Sequence, residues 1–195
     1  LWEDKTNNGL QVKAPISGNI HEINRGEKRA LVSIVINKSG DQLISFNATG
    51  SIEQDILNAG LWDSFRERPF NRVPIVGTNP DFLFINACKV DGLEANPSSI
   101  IEIEKDAFKQ GLNFIEKMTN NHLYLCTNES LEIESEKTKE YLILENYPSG
   151  NSSIHIQHLK PLTKNTNTWT INWQDVIRIG KALHHQKYCF ESYVS

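Results

Sequence analysis

Residues 58–74 read NAGLWDSFRERPFNRVP, a stretch crowded with arginine, aromatic and proline side chains. Arginine and aromatics dominate binding hot spots, and aromatics are also the largest contributors to cores, so a ligand, a partner or the fold itself could be their object. The segment just before it, GSIEQDILNAG, sets Ser51 three residues ahead of Gln54, a capping-box start. It ends on Gly60, which suits the left-handed residue that stops a helix. A helix therefore leads into the loop, and the chain changes character here.

Upstream the pattern is β. LQVKAPISGNIHEI (10–23) and ALVSIVI (30–36) are short runs broken by Pro15, Gly18 and Gly26, with period-two alternation over Asn19–Ile23 and NRGEKRA as a charged turn. These strands are too few to close on themselves. The boundary is expected near Asn47–Gly50, giving a partial barrel-sandwich, hammerhead-like β unit at 1–48 and an α/β domain at 49–195. Downstream, DFLFINA (81–87) reads as a buried strand. It is followed by a helix ending near Met118, with Phe108, Leu112 and Ile115 on one apolar face. HLYLCT (122–127) and YLILEN (141–146) read as two more strands, and NESLEIESEKTKE (128–140) between them as a solvated excursion. In TWTINWQDVIRIGKALHH (168–185) Asn172 can cap a helix whose Val176, Ile177 and Gly180 face inward. Lys181, His184 and His185 suit its negative end. Strands alternating with helices predict a mixed α/β fold.

The chain opens on Leu1 rather than methionine and stops at CFESYVS, inside what reads as a strand, so a longer polypeptide truncated at its C-terminal end is expected. Its 195 residues, 38% hydrophobic and 23% charged, describe a globular protein. A net charge of −4 argues against nucleic acid as a partner. No apolar run reaches bilayer-spanning length, so membrane contact is expected only through partners. Cys88, Cys126 and Cys189 form no CxxC pair; an odd count without a secretory leader fits a reducing compartment.

Candidate chemistry is sparse. His155 and His158 in HIQH share a helical face, yet two ligands do not make a metal site, and bonding to nearby backbone is the simpler reading. In YPSGNSS, a turn runs into a helix start whose free N–H groups could take an anion, making Ser149, Gly150 and Ser152 candidate contacts. Glu102 and Glu104 read as a solvated helix edge. There is no GxxxxGK[ST] and no GxGxxG, and no catalytic residue or metal ligand is assigned. The DK turn ahead of APISGNIHEI resembles part of a lipoyl or biotinyl carrier domain, in which Lys5 would bear the swinging arm. Half of the two-fold carrier pattern is absent, and an exposed turn lysine needs no such role.

KAPISGNIHEINRGEKRALVSIVI, GLWDSFRERPFNRVP, YPSGNSSIHIQHL and TWTINWQDVIRIGKAL occur in this order, and together they resemble the A subunit of the bacterial sodium-translocating NADH:quinone oxidoreductase across nearly the whole chain. The resemblance implies a hammerhead-like β unit followed by a Rossmann-like domain related to the flavoprotein subunit of complex I and its Rnf counterpart. Those relatives place a stretch of the type GRGGAGFPT where this chain has SFRERPFNR. Glycines there let backbone N–H groups approach phosphates, and Ser64–Arg72 holds none. The expectation is a nucleotide-binding fold that has lost its flavin and NADH loop.

The resemblance further implies a protein peripheral to the bacterial inner membrane on its cytoplasmic side, docked on the membrane-embedded B subunit. It would carry no tightly bound cofactor, with NAD, flavin and Fe–S chemistry in partner subunits and ubiquinone as a candidate ligand. Trp62, Phe65, Arg66, Arg68, Pro69 and Phe70 are the candidate partner or quinone contacts. The alternative reading packs Trp62, Phe65 and Phe70 beneath the loop, with Arg66 and Arg68 paired to Glu67 or Asp63. The competing function is an active flavin- and NADH-binding electron-input subunit of a complex I-like or Rnf-like assembly.

Overall fold

The computed structural model describes residues 1–40, 45–89, 94–120, 123–133 and 135–193. Strand β1 (Trp2–Glu3) pairs with β2 (Gln11–Val12), and β3 (Gly18–Arg25) with β4 (Leu31–Lys38), all antiparallel. The alternation read over Asn19–Ile23 is interrupted by a register shift between Ile20 and Glu22. That extra residue brings Ile20 and Ile23 opposite Ile36 and Ile34, which share a face of β4 two residues apart. Ile20 and Ile23 stay exposed.

Helix α1 (Ile52–Asn58) starts and stops as its sequence dictates. Ser51 accepts the Gln54 N–H, although the Gln54 amide donates forward to Asn58 rather than back to the cap. Gly60 is left-handed at φ +69°; its N–H bonds the Leu57 carbonyl, and that of Leu61 bonds Ile56. The remaining elements are β5 (Arg66–Arg68), β6 (Phe82–Ala87), α2 (Pro97–Ile103), α3 (Lys105–Ile115), β7 (Leu123–Thr127), β8 (Thr138–Leu142), α4 (Ser152–Leu159), β9 (Thr168–Asn172) and α5 (Trp173–His185). The five strands lie in the order β5-β9-β6-β7-β8, parallel except for β5 at one edge.

Alternate strand residues serve two cores. Leu83, Ile85, Leu125, Trp169 and Ile171 join Phe108, Leu112, Ile115, Val176 and Ile177 of α3 and α5 in the larger one. Phe84, Cys88, Cys126 and Ile156 form the smaller, under α4. The helices α3 and α5 meet backbone to backbone: a Cβ on Gly180 would stand 1.9 Å from the Ala107 carbonyl oxygen, and one on Gly111 2.1 Å from that of Val176. The β unit is stapled to this body. Leu10 belongs to the larger core, and the buried Asn7 donates its amide to the Pro74 carbonyl (2.8 Å) while accepting the Val76 N–H (2.8 Å).

Four local expectations change. YLILEN is not the strand. β8 begins at Thr138 because its ladder to β7 pairs Thr138–Leu142 with Leu123–Thr127, and Leu144 is left exposed. The excursion at 128–140 is only partly solvated: Leu131 is buried, and its N–H is held by the Glu140 carboxylate at 2.6 Å. Residues 188–193 form no strand. After a left-handed Gln186 the tail is held by side chains, with Gln174 bonding both the N–H and the carbonyl of Tyr193 (3.0 and 3.1 Å) and Trp173 stacked on the Tyr193 ring. Glu104 is no solvated edge: it pairs with Lys181 at 2.7 Å and accepts the Tyr193 hydroxyl. His122, Glu134, Val194 and Ser195 lie outside the described residues. Among those described, no helix is long and apolar enough to cross a membrane.

Candidate functional site

The sheet order reverses between β6 and β9. From β6 the chain steps outward through α2 and α3 to β7 and then β8, and α4 returns it to β9 on the other side of β6. In open α/β sheets ligands bind at such a switch point, beyond the carboxyl ends of the strands. A cavity of about 260 Å³ lies there. Asn86 is the penultimate residue of β6, Asn172 ends β9 and Ser152 opens α4. Asp63, Ser64 and Arg66 enter from the loop, and Asp175 from the first turn of α5.

The polar groups around this crevice are largely committed to one another. Asn151 caps α4 through the Ser153 N–H (2.9 Å), and Asn172 caps α5 through that of Gln174 (2.9 Å). Asp175 occupies the first turn of α5, where an anion would profit from the helix dipole, and pairs with Arg178 at 2.8 Å. Burial nevertheless pushes its carboxyl above the usual carboxylate range, with Asp63 adding to the effect and Arg178 and Ser64 opposing it. The Arg66 guanidinium folds back to donate to the carbonyls of Phe65 (2.9 Å) and Asp63. Two carboxylates and one inward-bonded arginine make a poor receptor for phosphate.

The loop residues divide. Trp62 and Phe65 are fully buried, packed edge-on or tilted with Trp169, and the Trp62 indole donates to Pro74 at 2.9 Å. Contact from outside is left to Arg66, Arg68, Pro69 and Phe70. Arg68 bonds Asn71 at 3.1 Å and the Ser153 hydroxyl, tying the loop to the start of α4. Phe70, at 77% exposure, packs under nothing. Glu67 pairs with Arg72 rather than with Arg66 or Arg68. These positions combine the two readings: the loop's first half is core, its tip is surface.

Of the three residues at the α4 entry, Ser152 alone lines the crevice. The Ser149 hydroxyl turns onto the Leu144 and Asn146 carbonyls, and the buried Gly150 gives its carbonyl to the Asn86 amide at 2.9 Å. His155 is buried, with Nε2 2.6 Å from the Ser149 carbonyl, which fixes Nε2 as the donor; burial holds its pKa below that of free histidine. His158 is exposed, and no group of three or more His, Cys, Asp or Glu suited to a metal occurs among the described residues. Lys5 is exposed on the turn that Asn7 anchors.

Asn86, Thr170, Asn172 as a lining group, and Asp175 escaped the sequence reading. One signal was present: both strands at the switch point carry Ile-Asn near their carboxyl ends, Ile85-Asn86 and Ile171-Asn172, and these residues pair across the sheet.

Residues 48–188 match the family model described as NqrA second alpha/beta domain, and residues 1–39 match NqrA N-terminal barrel-sandwich hybrid domain. The A subunits of Na(+)-translocating NADH-quinone reductases are similar throughout. That of Neisseria meningitidis is 36% identical over 93% of this chain and 43% of its own length. That of Yersinia pseudotuberculosis is 33% identical over all of this chain and 46% of its own length. The chain thus spans less than half the length of these relatives.

Proposed function

The chain belongs to the NqrA family, and we propose that it serves a Na(+)-translocating NADH-quinone reductase as a peripheral, non-catalytic part of the A subunit whose fold has given up its nucleotide site. In this reading it sits on the cytoplasmic side of the bacterial inner membrane, docked on the B subunit. NADH oxidation, flavin and Fe–S chemistry belong to the other subunits. The domain shares its ancestry with the Rossmann-like flavoprotein of complex I, and its switch-point sheet supports that descent.

The observation that carries the reading is the state of the crevice. Its volume of about 260 Å³ falls below the roughly 300–1,000 Å³ of ligand-sized pockets. It presents Asp63 and Asp175 where a flavin or NADH phosphate would have to rest, and Ser64–Arg72 supplies no glycine for close backbone approach. These residues do not fit either cofactor. The exposed Phe70, with Pro69 and Arg68 beside it, is the side of the loop left to a partner, and a ring beside an arginine is the composition of an interface anchor.

Two measurements test this. Titrated with flavin mononucleotide and with NADH, the purified chain should bind neither at micromolar concentration. Stoichiometric flavin or a micromolar NADH isotherm would establish an electron-input role instead. In the assembled pump, Phe70→Ser should reduce co-purification of the mutated protein with the complex while leaving its melting temperature unchanged. Undiminished assembly would remove the loop tip from the interface.

A further inference from the structure

The α4 face of the sheet is held more lightly than the opposite one. Within α4 only His155 and Ile156 are buried, whereas α5 buries Trp173, Val176, Ile177, Ile179 and more, and its backbone touches that of α3. A helix as short as α4 has little stability of its own. Its polar ties to the body include the Asn86 amide on the Gly150 carbonyl at 2.9 Å and Arg68 on the Ser153 hydroxyl. At its far end the Lys160 ammonium lies 4.7 Å above the Phe82 ring.

His155 is the weak point of this attachment. Its Nε2–H is spent on the Ser149 carbonyl, and Nδ1 is buried with no hydrogen-bond partner among the described residues. A proton taken up at Nδ1 would create a buried N–H with nothing to accept it. It would also set a positive charge in the first turn of a helix, where the dipole opposes one. The surrounding elements give that charge no relief. Beneath α4, Cys88 and Cys126 are kept as neutral thiols by burial, and the Tyr124 phenol beside them is pushed up as well. Arg68, at the same helix end, is itself a cation. Glu145 of the preceding turn and His158 and Lys160 of α4 are exposed, and no carboxylate acts on the His155 ring.

We propose that α4, with the turn at 144–151, is an acid-released flap: a proton on His155 frees both from the sheet while α3 and α5 stay closed on the other face. Release breaks the Asn86–Gly150 and Arg68–Ser153 bonds and takes Ser152 from the crevice wall. The crevice widens, and the loop tip bearing Phe70 comes untied. The device stands whether or not that tip meets a partner. In the open flap the imidazole titrates near the ordinary histidine value of about 6.5, above its value when closed. Closure is therefore at full strength above that pH and weakens below it, the open population rising by up to about tenfold per unit.

Amide hydrogen exchange of the purified chain between pH 7 and 5, corrected for the intrinsic rate at each pH, tests this. Amides of 154–160 should be at least about tenfold less protected than those of α3 and α5, the mark of an opening smaller than global unfolding. Their protection should fall by up to about tenfold per unit below about pH 6.5. His155→Gln should abolish that fall, and His158→Gln, which alters the exposed ring on the same helix, should keep it. Should His155→Gln fail to fold, the wild-type levels still decide. Protection over α4 equal to that of α3 and α5, or independent of pH, would overturn the flap. So would a pH dependence that survives in His155→Gln or vanishes in His158→Gln.

Discussion

Asn7 joins the two units of the chain, and its replacement isolates what that joint contributes. The side chain is 6% exposed and uses both ends of its amide on the 74–76 segment at 2.8 Å. In Asn7→Ala the Pro74 carbonyl keeps the Trp62 indole, but the Val76 N–H loses its acceptor where water has little access. Two neutral hydrogen bonds contribute about 1 kcal/mol each, and a stranded donor costs about 1–3 kcal/mol. With overlap between these terms, the expected loss is about 2–4 kcal/mol, a large share of the roughly 5–15 kcal/mol typical of a domain. Urea unfolding followed by tryptophan fluorescence measures it, since Trp62 reports on the same carbonyl. A loss below about 0.5 kcal/mol, the range of ordinary surface changes, would refute the joint.

Asn7→Asp separates hydrogen bonding from shape. An ionised carboxylate still accepts the Val76 N–H, but it faces the Pro74 carbonyl with no proton to donate. Its folded pKa must therefore rise above the unfolded value of about 3.9. Stability tied to a raised pKa is fully present below the unfolded value and is lost as pH rises through the folded one. The Asn7→Asp deficit should accordingly shrink on acidification from pH 7 towards 4, while that of Asn7→Ala stays constant. Parallel pH profiles for the two variants would sink the argument.

Three further outcomes follow from close contacts. Gly180→Ala places a methyl 1.9 Å from a backbone oxygen of α3, so the helices must part; a loss at or above the upper end of the roughly 1–3 kcal/mol of overpacking is expected in a thermal melt. His155 has a folded pKa held below its unfolded 6.5, chiefly by burial, so unfolding takes up a proton. Stability should fall as pH drops below about 6.5, by at most about 1.4 kcal/mol per unit for this one group, and His155→Gln should flatten that slope in urea titrations. Lys181→Met removes the cation whose hydrogen bond, followed by that of Tyr193, keeps the Glu104 carboxyl low. Hydrogen exchange should then rise over 187–193 with a stability loss of about 1 kcal/mol or less, and unchanged exchange would mean Gln174 holds the tail alone.

Local signals were legible because their physics is local. Ser51, Gly60 and Asn172 act within four residues of where they stand, and the stripe of Phe108, Leu112 and Ile115 is set by the helical repeat. What stayed hidden depends on pairings across the sequence. Asn7 meets Pro74 and Val76 67 and 69 residues away, and Lys181 meets Glu104 77 residues away. The ends of β8 follow from its register with β7 rather than from its own hydrophobicity, which would put Leu144 inside. The crevice required knowing that β9 returns beside β6.

The loop at 58–74 illustrates how far composition misleads without that topology. Its tryptophan and first phenylalanine look like ligand contacts, yet with β5 paired to β9 both pack edge-on or tilted against Trp169 and are fully buried. Its arginines look like phosphate ligands, yet Arg66 is spent on two carbonyls, Arg68 on Asn71 and Ser153, and Arg72 on Glu67. An anion entering the crevice would have to displace the Arg66 bonds and face two carboxylates, so adding arginines to the loop would not by itself make a phosphate site. Relief would have to begin at Asp63 and Asp175, residues whose importance lies in where the sheet brings them rather than in any motif they form.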